Sequence, residues 1–275
     1  VSIEVNPRLA HDTAATVEEA RRLHSRVARD NVMVKVPATI AGLPAITSLT
    51  AVGISINVTL IFSLARHRQV MDAYLSGLEQ RLAAGGAIGR IFSVASFFVS
   101  RVDTKVDKAI DARLGELPAD AVERDELKGY RGQMAVANAR LAYAAFREMF
   151  ASPRFAALKT KGARLQRPLW ASTGTKNPAY SDVLYVEELI GADTVNTMPP
   201  QTLAAFNDHG VVEARITRDL EAAQRAFERL PELGVPVDEL IAELEPEGVT
   251  AFIKSYESLL ETLESRRLQI SGDLR

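Results

Sequence analysis

Apolar and polar positions alternate along this chain with two different periods. Short runs rich in β-branched residues, with period two, stand at residues 1–5, 32–36, 53–59, 90–95, 168–172 and 194–198, and predict six strands. Between them, apolar residues recur three and four apart, which predicts helices over 13–29, 41–49, 60–84, 138–150 and 181–190. Ser181 or Asp182 is placed to cap the last of these. Residues 102–132 are charged, helical in their first half and broken at 114–119. After residue 198 come a helix at 201–206 and two long amphipathic helices at 213–228 and 237–263, parted by the Gly234-Val235-Pro236 turn. Strands alternating with helices imply βα units and a parallel sheet.

Side chains alternate faces along a strand, so three of the strands sort their residues. Val1, Ile3 and Val5 share one face, with Ser2, Glu4 and Asn6 opposite. Val32, Val34 and Val36 alternate with Met33, Lys35 and Pro37. Ile54, Ile56 and Val58 alternate with Ser55, Asn57 and Thr59. In an α/β barrel the β-branched face lies under the outer helices and the other points inward. The inward set is then Glu4, Lys35, Asn57 and Thr59, toward the C-terminal strand ends where barrel sites are built.

A lysine flanked by valines is costly to keep charged and unpaired in a buried strand. Burial and a cationic neighbourhood would free a nucleophilic amine, which condenses with a ketone to give a Schiff base. The strand pattern is equally compatible with a Lys35 that snorkels to solvent, and with a plain ion pair between Lys35 and Glu4. Arg101 and Lys176 follow the fourth and fifth strands, where barrel loops often bind phosphate. A solvated surface is the commoner fate of such cations.

Composition narrows the classes. The 275 residues suit one α/β barrel domain, and 47% apolar with 25% charged is ordinary globular usage. A net charge of -2 and a pI near 6.2 provide no basic footprint for nucleic acid or a membrane surface. The absence of cysteine excludes disulfides, thiol catalysis and cysteine zinc sites. There is no apolar run of about 18 residues and no signal-peptide pattern, so the expectation is a cytoplasmic protein. His11, His24, His67 and His209 share no metal-ligand spacing, so no metal is assigned. His24 and His67 fall within helices and are expected at the surface or half-buried. Gly174-Thr175-Lys176 lacks the spacing of a phosphate-binding P-loop.

Several segments, in order, resemble the transaldolase family. Ser2-Ile3-Glu4-Val5-Asn6-Pro7-Arg8 is similar to the family's third-strand motif. Val34-Lys35-Val36-Pro37-Ala38-Thr39, followed by Gly42-Leu43-Pro44-Ala45-Ile46, is similar to the Schiff-base strand and its loop. The run from Gly53 through Asn57 and Thr59 to Ser63 resembles the Asn-x-Thr strand, and Ser96-Phe97-Phe98-Val99-Ser100-Arg101-Val102-Asp103 the sixth-strand site. Trp170-Ala171-Ser172-Thr173-Gly174-Thr175-Lys176-Asn177 and Asp193 to Pro199 resemble the last two strands, in the wording of the longer bacterial subfamily.

The resemblance implies a (β/α)8 TIM barrel, of which six βα units and the C-terminal helices are read here. It implies one domain over residues 1–275 with the helices of 211–275 packed on the barrel. It also implies transfer of a dihydroxyacetone unit from sedoheptulose 7-phosphate or fructose 6-phosphate to an aldose phosphate, with no cofactor. Lys35 would form the imine, with Glu4 and Thr59 assisting proton transfer through a water. Asn57, Ser96 and Phe98 would hold the donor. Arg101 and Lys176 would bind phosphate, with Ser172 beside them. Many transaldolases carry Arg where Lys176 stands, and an ammonium keeps that charge but loses the planar fork.

The family's first strand supplies an Asp acid/base that no residue here matches. Residue 1 is Val and already reads as strand, so two further βα units are expected upstream. A class I aldolase, which releases the ketone, and a non-catalytic sugar-phosphate binder are the rival readings. A homodimer is compatible with all three.

Overall fold

The computed structural model describes residues 1–273. In chain order the elements are β1 (Ser2–Glu4), a 3-10 turn (Pro7–Leu9), α1 (Thr13–Val27), β2 (Met33–Pro37), α2 (Gly42–Ala51), β3 (Ile56–Ile61), α3 (Leu64–Ala83) and β4 (Ser93–Phe98). They continue with α4 (Ser100–Glu116), α5 (Glu123–Gly129), α6 (Met134–Phe150), α7 (Pro153–Lys159), β5 (Gln166–Ala171), α8 (Leu184–Glu188), β6 (Val195–Asn196), α9 (Pro200–His209), α10 (Leu220–Glu232) and α11 (Val237–Asp273). The six strands form one parallel sheet in the order β1-β2-β3-β4-β5-β6. Sequential parallel strands joined by helices are the wall of a (β/α) barrel, and the fold class is α/β as the periodicity implies.

The helix-facing residues of the sheet are the ones the period-two pattern assigns. Val34, Val36, Ile56 and Val58 are at most 1% exposed. Burying each such side chain contributes roughly 1.5–3 kcal/mol. On the same face further along, the rings of Phe97 and Trp170 meet edge-on at 6.1 Å, and the Trp170 indole N–H donates to the Leu189 carbonyl at 3.1 Å. A large indole can be buried only if its N–H finds such a partner.

Local chemistry sets most element starts. The Asp12 carboxylate accepts from the Ala15 amide at 2.9 Å and caps α1, and the Ser63 hydroxyl accepts from the Arg66 amide at 3.1 Å and caps α3. The helix expected from residue 60 therefore begins at Leu64. Leu60 has φ 61°, in the left-handed region, and β3 runs past it to Ile61 through an irregular register with β4. The expected cap at Ser181 or Asp182 is not formed. The helix starts at Leu184 behind Val183 without a side-chain cap, and Asp182 instead pairs with His209 at 2.9 Å. The helix expected from 213 starts at Leu220, because the Arg215 and Ile216 amides both donate to the Ile190 carbonyl and a turn over 216–219 follows. α7, unread in the sequence, carries ordinary start signals: Ser152 caps it and Pro153 opens it.

α10 packs against α6, while α11 packs against α4, α10, β3 and the 3-10 turn after β1. α11 therefore crosses the C-terminal ends of the strands. Gly248 permits this approach. A Cβ there would lie 3.0 Å from Leu60 Cδ2 and 3.2 Å from the Phe62 ring, at the end of β3. Ion pairs tether α11 on both sides, Glu245 to Arg66 at 3.0 Å and Glu257 to Arg8 at 2.6 Å. No helix among the described residues is long and apolar enough to cross a membrane.

Candidate functional site

Parallel pairing sets Glu4 opposite Lys35 and Lys35 opposite Asn57, so three polar side chains form one row on the inner face of β1, β2 and β3. Lys35 Nζ lies 3.8 Å from Glu4 Oε2, with side-chain exposures of 24% and 31%. Lys35 is thus neither fully buried nor snorkelled away from the site. Its charged partner is an anion and not the cationic neighbourhood expected from the sequence. Burial pushes the Glu4 carboxyl above the usual carboxylate range, and the Lys35 charge pulls partly back. Glu4 Oε1 is buried and has no hydrogen-bond partner among the described residues.

Asn57 is held at both ends of its amide. Its Nδ2 donates to Ser2 Oγ at 3.0 Å, and its Oδ1 accepts from Ser96 Oγ at 2.7 Å. Ser96 reaches it because Asn57 sits opposite Val94 on β4, two residues earlier on the same face. Thr59, two residues past Asn57, is fully buried, and its hydroxyl has no partner among the described residues. A buried, unbonded hydroxyl beside a lysine–carboxylate pair is poised to accept or donate a hydrogen bond to a bound molecule.

Three aromatic rings wall this group. Phe98 lies 5.1 Å from Phe62 and 6.3 Å from Phe252 between ring centroids. Lys35 Nζ stands 5.2 Å from the Phe252 ring centroid, within reach of a cation–π contact. Phe252 and Phe62 were not read as site residues in the sequence. Phe62 directly follows the Asn-x-Thr strand, which was a usable signal. Phe252 on α11 carried none.

The cations form a second group. Arg101, in the first turn of α4, has its guanidinium 5.7 Å from the Phe98 ring, which links the two groups. Arg101 and Lys176 line one cavity of about 690 Å³, together with Lys105, Lys108, Glu243 and Glu247. Lys105 is ion-paired to Glu243 at 2.6 Å and to Glu247, and the four cations Arg101, Lys105, Lys108 and Lys176 outnumber these two carboxylates. The Ser172 hydroxyl is hydrogen-bonded to that of Ser100 at 2.9 Å, and Ser172 has φ 57°. A non-glycine residue held in the left-handed region costs of order 1 kcal/mol or more, and such strain gathers at functional sites.

His67 departs from its expected half-buried place. It is 0% exposed, its ring stands edge-on to Phe97 at 5.6 Å, and neither nitrogen has a partner among the described residues. It lies on the helix-facing side of β4, apart from the row at Lys35.

A family model described as transaldolase/fructose-6-phosphate aldolase matches residues 1–263. A transaldolase of Mycolicibacterium smegmatis is 54% identical over 267 residues, covering 97% of this chain and 70% of that protein. A transaldolase of Saccharopolyspora erythraea has the same identity and coverage. Transaldolase 1 of Streptomyces coelicolor is 55% identical over 261 residues, covering 94% of this chain and 66% of that protein.

Proposed function

The chain belongs to the transaldolase/fructose-6-phosphate aldolase family, and on that premise we propose that Lys35 is the amine of a transaldolase reaction. The activity is that of a transferase of aldehyde and ketone residues acting on sugar phosphates. The observation that carries the residue assignment is the row itself: an inward lysine 3.8 Å from a carboxylate, with an anchored amide and a free hydroxyl beside it.

In this reading the Lys35 amine adds to C2 of sedoheptulose 7-phosphate. The carbinolamine then loses water to form the imine. The C3–C4 bond breaks as the C4 hydroxyl gives its proton to a base, and the bonding pair moves into the imine to leave an enamine. Erythrose 4-phosphate departs. The enamine carbon attacks the aldehyde of glyceraldehyde 3-phosphate, its oxygen takes up a proton, and hydrolysis of the new imine frees fructose 6-phosphate and Lys35. The imine stores the electron pair, which is the chemistry a Schiff-base lysine supplies. Glu4, whose carboxyl is biased toward the protonated form, passes protons through a water, and the Thr59 hydroxyl orients that water. Asn57 and Ser96 hold the hydroxyls of the three-carbon unit, Phe98 packs on it, and Arg101 and Lys176 receive the phosphate beside Ser172.

Residues 1–275 are read as one domain, with the helices of 211–275 packed on the barrel. A cytoplasmic setting and a homodimer belong to the same proposal, and light scattering of the full chain tests the dimer. Incubating the full chain with fructose 6-phosphate and borohydride should reduce the imine to a stable amine, and peptide mapping should find the adduct on Lys35. An adduct on another lysine, or none, overturns the assignment. Measuring transferred against released dihydroxyacetone separates transfer from aldolase cleavage.

A further inference from the structure

The segment that carries Lys176 is tied to α4 at both ends. Before Lys176, the Ser172 and Ser100 hydroxyls are bonded to each other, and the Ser100 amide donates to the Ser172 carbonyl at 3.1 Å. After Lys176, the Tyr180 hydroxyl donates to Asp107 Oδ2 at 2.7 Å and the Tyr185 hydroxyl to Asp103 Oδ2 at 2.8 Å. Asp103 and Asp107 stand one turn apart on α4, the helix whose first turn holds Arg101. Their other oxygens are also engaged: Asp107 Oδ1 accepts from the Gly132 amide at 3.0 Å, and Asp103 Oδ1 from the Ala135 amide at 2.7 Å. Each carboxylate thus receives one backbone N–H and one phenol, which is the satisfied state a buried charge requires.

The seat of Tyr180 is fitted to its ring. Gly132 has φ 72°, and a Cβ there would stand 2.7 Å from Tyr180 Cζ. Burial, and after it the bond to Asp107, push the phenol up to about 12, so its proton stays in place to be donated. The two anchors differ in burial. Tyr185 is 2% exposed and belongs to the core, whereas Tyr180 is half-buried at the surface.

We propose that Tyr180 and Asp107 are positioning residues that hold the Lys176 arm against α4, setting the spacing between Lys176 and Arg101 for a phosphate monoester. Lys176 itself is exposed, and a lysine on a free arm would sample many positions. Two cations brought together also repel each other until an anion arrives. Fastening the arm to the helix that carries Arg101 offsets both costs before the substrate binds. This rests on the reading of Arg101 and Lys176 as the phosphate site.

The test uses Tyr180→Phe in the full chain, which removes one O–H and keeps the ring on Gly132. KM for fructose 6-phosphate should rise about three- to tenfold, the scale of one lost hydrogen bond. kcat/KM for dihydroxyacetone, which has no phosphate, should hold, while the melting temperature falls by a few degrees because Asp107 Oδ2 loses its donor. In a Lys176→Ala background the same change should have no further effect on KM, because no arm charge is left to position. Equal losses with both donors, or an undiminished effect in the Lys176→Ala background, would show that Tyr180 serves the fold and overturn the proposal. If Lys176→Ala selectively weakens the phosphorylated donor while Tyr180→Phe does not, only the positioning role falls. If Lys176→Ala weakens both donors equally, the phosphate site falls and the positioning role with it.

Discussion

His67 gives the protein an acid sensitivity whose size follows from its surroundings. The imidazole is fully buried and edge-on to Phe97, and neither nitrogen has a partner among the described residues. Burial, aided by the nearby Arg68 charge, lowers its pKa from 6.5 to about 4. Unfolded, the ring takes a proton as pH falls through 6.5; folded, it resists until about 4. Between those values the unfolded state binds more protons, so stability is fully present above 6.5 and is lost as pH drops. A difference of about 2.5 pKa units corresponds to about 3 kcal/mol. Replacing His67 with Leu removes the titrating group at similar volume and also removes two unbonded polar atoms. Urea unfolding of both proteins from pH 7 to pH 4 supplies the comparison. The wild type should lose about 3 kcal/mol more than His67→Leu across that range, and the variant should be no less stable at pH 7. Other titrating groups cancel in the difference. Parallel pH profiles would refute the reasoning, since they would mean that the folded ring takes up protons as readily as the unfolded one.

Asp103 titrates with the opposite sign. Burial raises its carboxyl to about 6, so its contribution is fully present below about 4 and is lost as pH rises through 6. The stability of wild type relative to Asp103→Asn should therefore increase by about 2 kcal/mol on going from pH 7 to pH 4, and a flat difference would contradict the burial argument. Arg101→Ala and Lys176→Ala should each weaken phosphorylated substrates by roughly ten- to a hundredfold, the effect of losing a charge-assisted bond of about 1.5–3 kcal/mol. Dihydroxyacetone should be little affected, and equal losses for both substrates in steady-state kinetics would assign these residues to structure.

Much of the candidate row could be read without coordinates. A strand's side chains alternate by covalent geometry, so the valines of residues 32–36 and their neighbours sort Lys35 to the opposite face whatever surrounds them. Parallel pairing of consecutive βα units then brings Glu4, Lys35 and Asn57 side by side. The six strands and the α/β class follow from that same short-range periodicity. Element ends were less legible, because a start at Leu64 or Leu184 depends on the left-handed Leu60 and on which partner Asp182 finds. What faces Lys35 across the site was not legible at all. Phe252 reaches it because α11 crosses the strand ends over Gly248, and no local pattern in α11 records that crossing. The burial of His67 and the bond from Tyr180 to Asp107 have the same origin. Periodicity reports which side of an element is apolar. Packing, which brings distant segments within a few ångströms, decides which particular side chain of another element it meets.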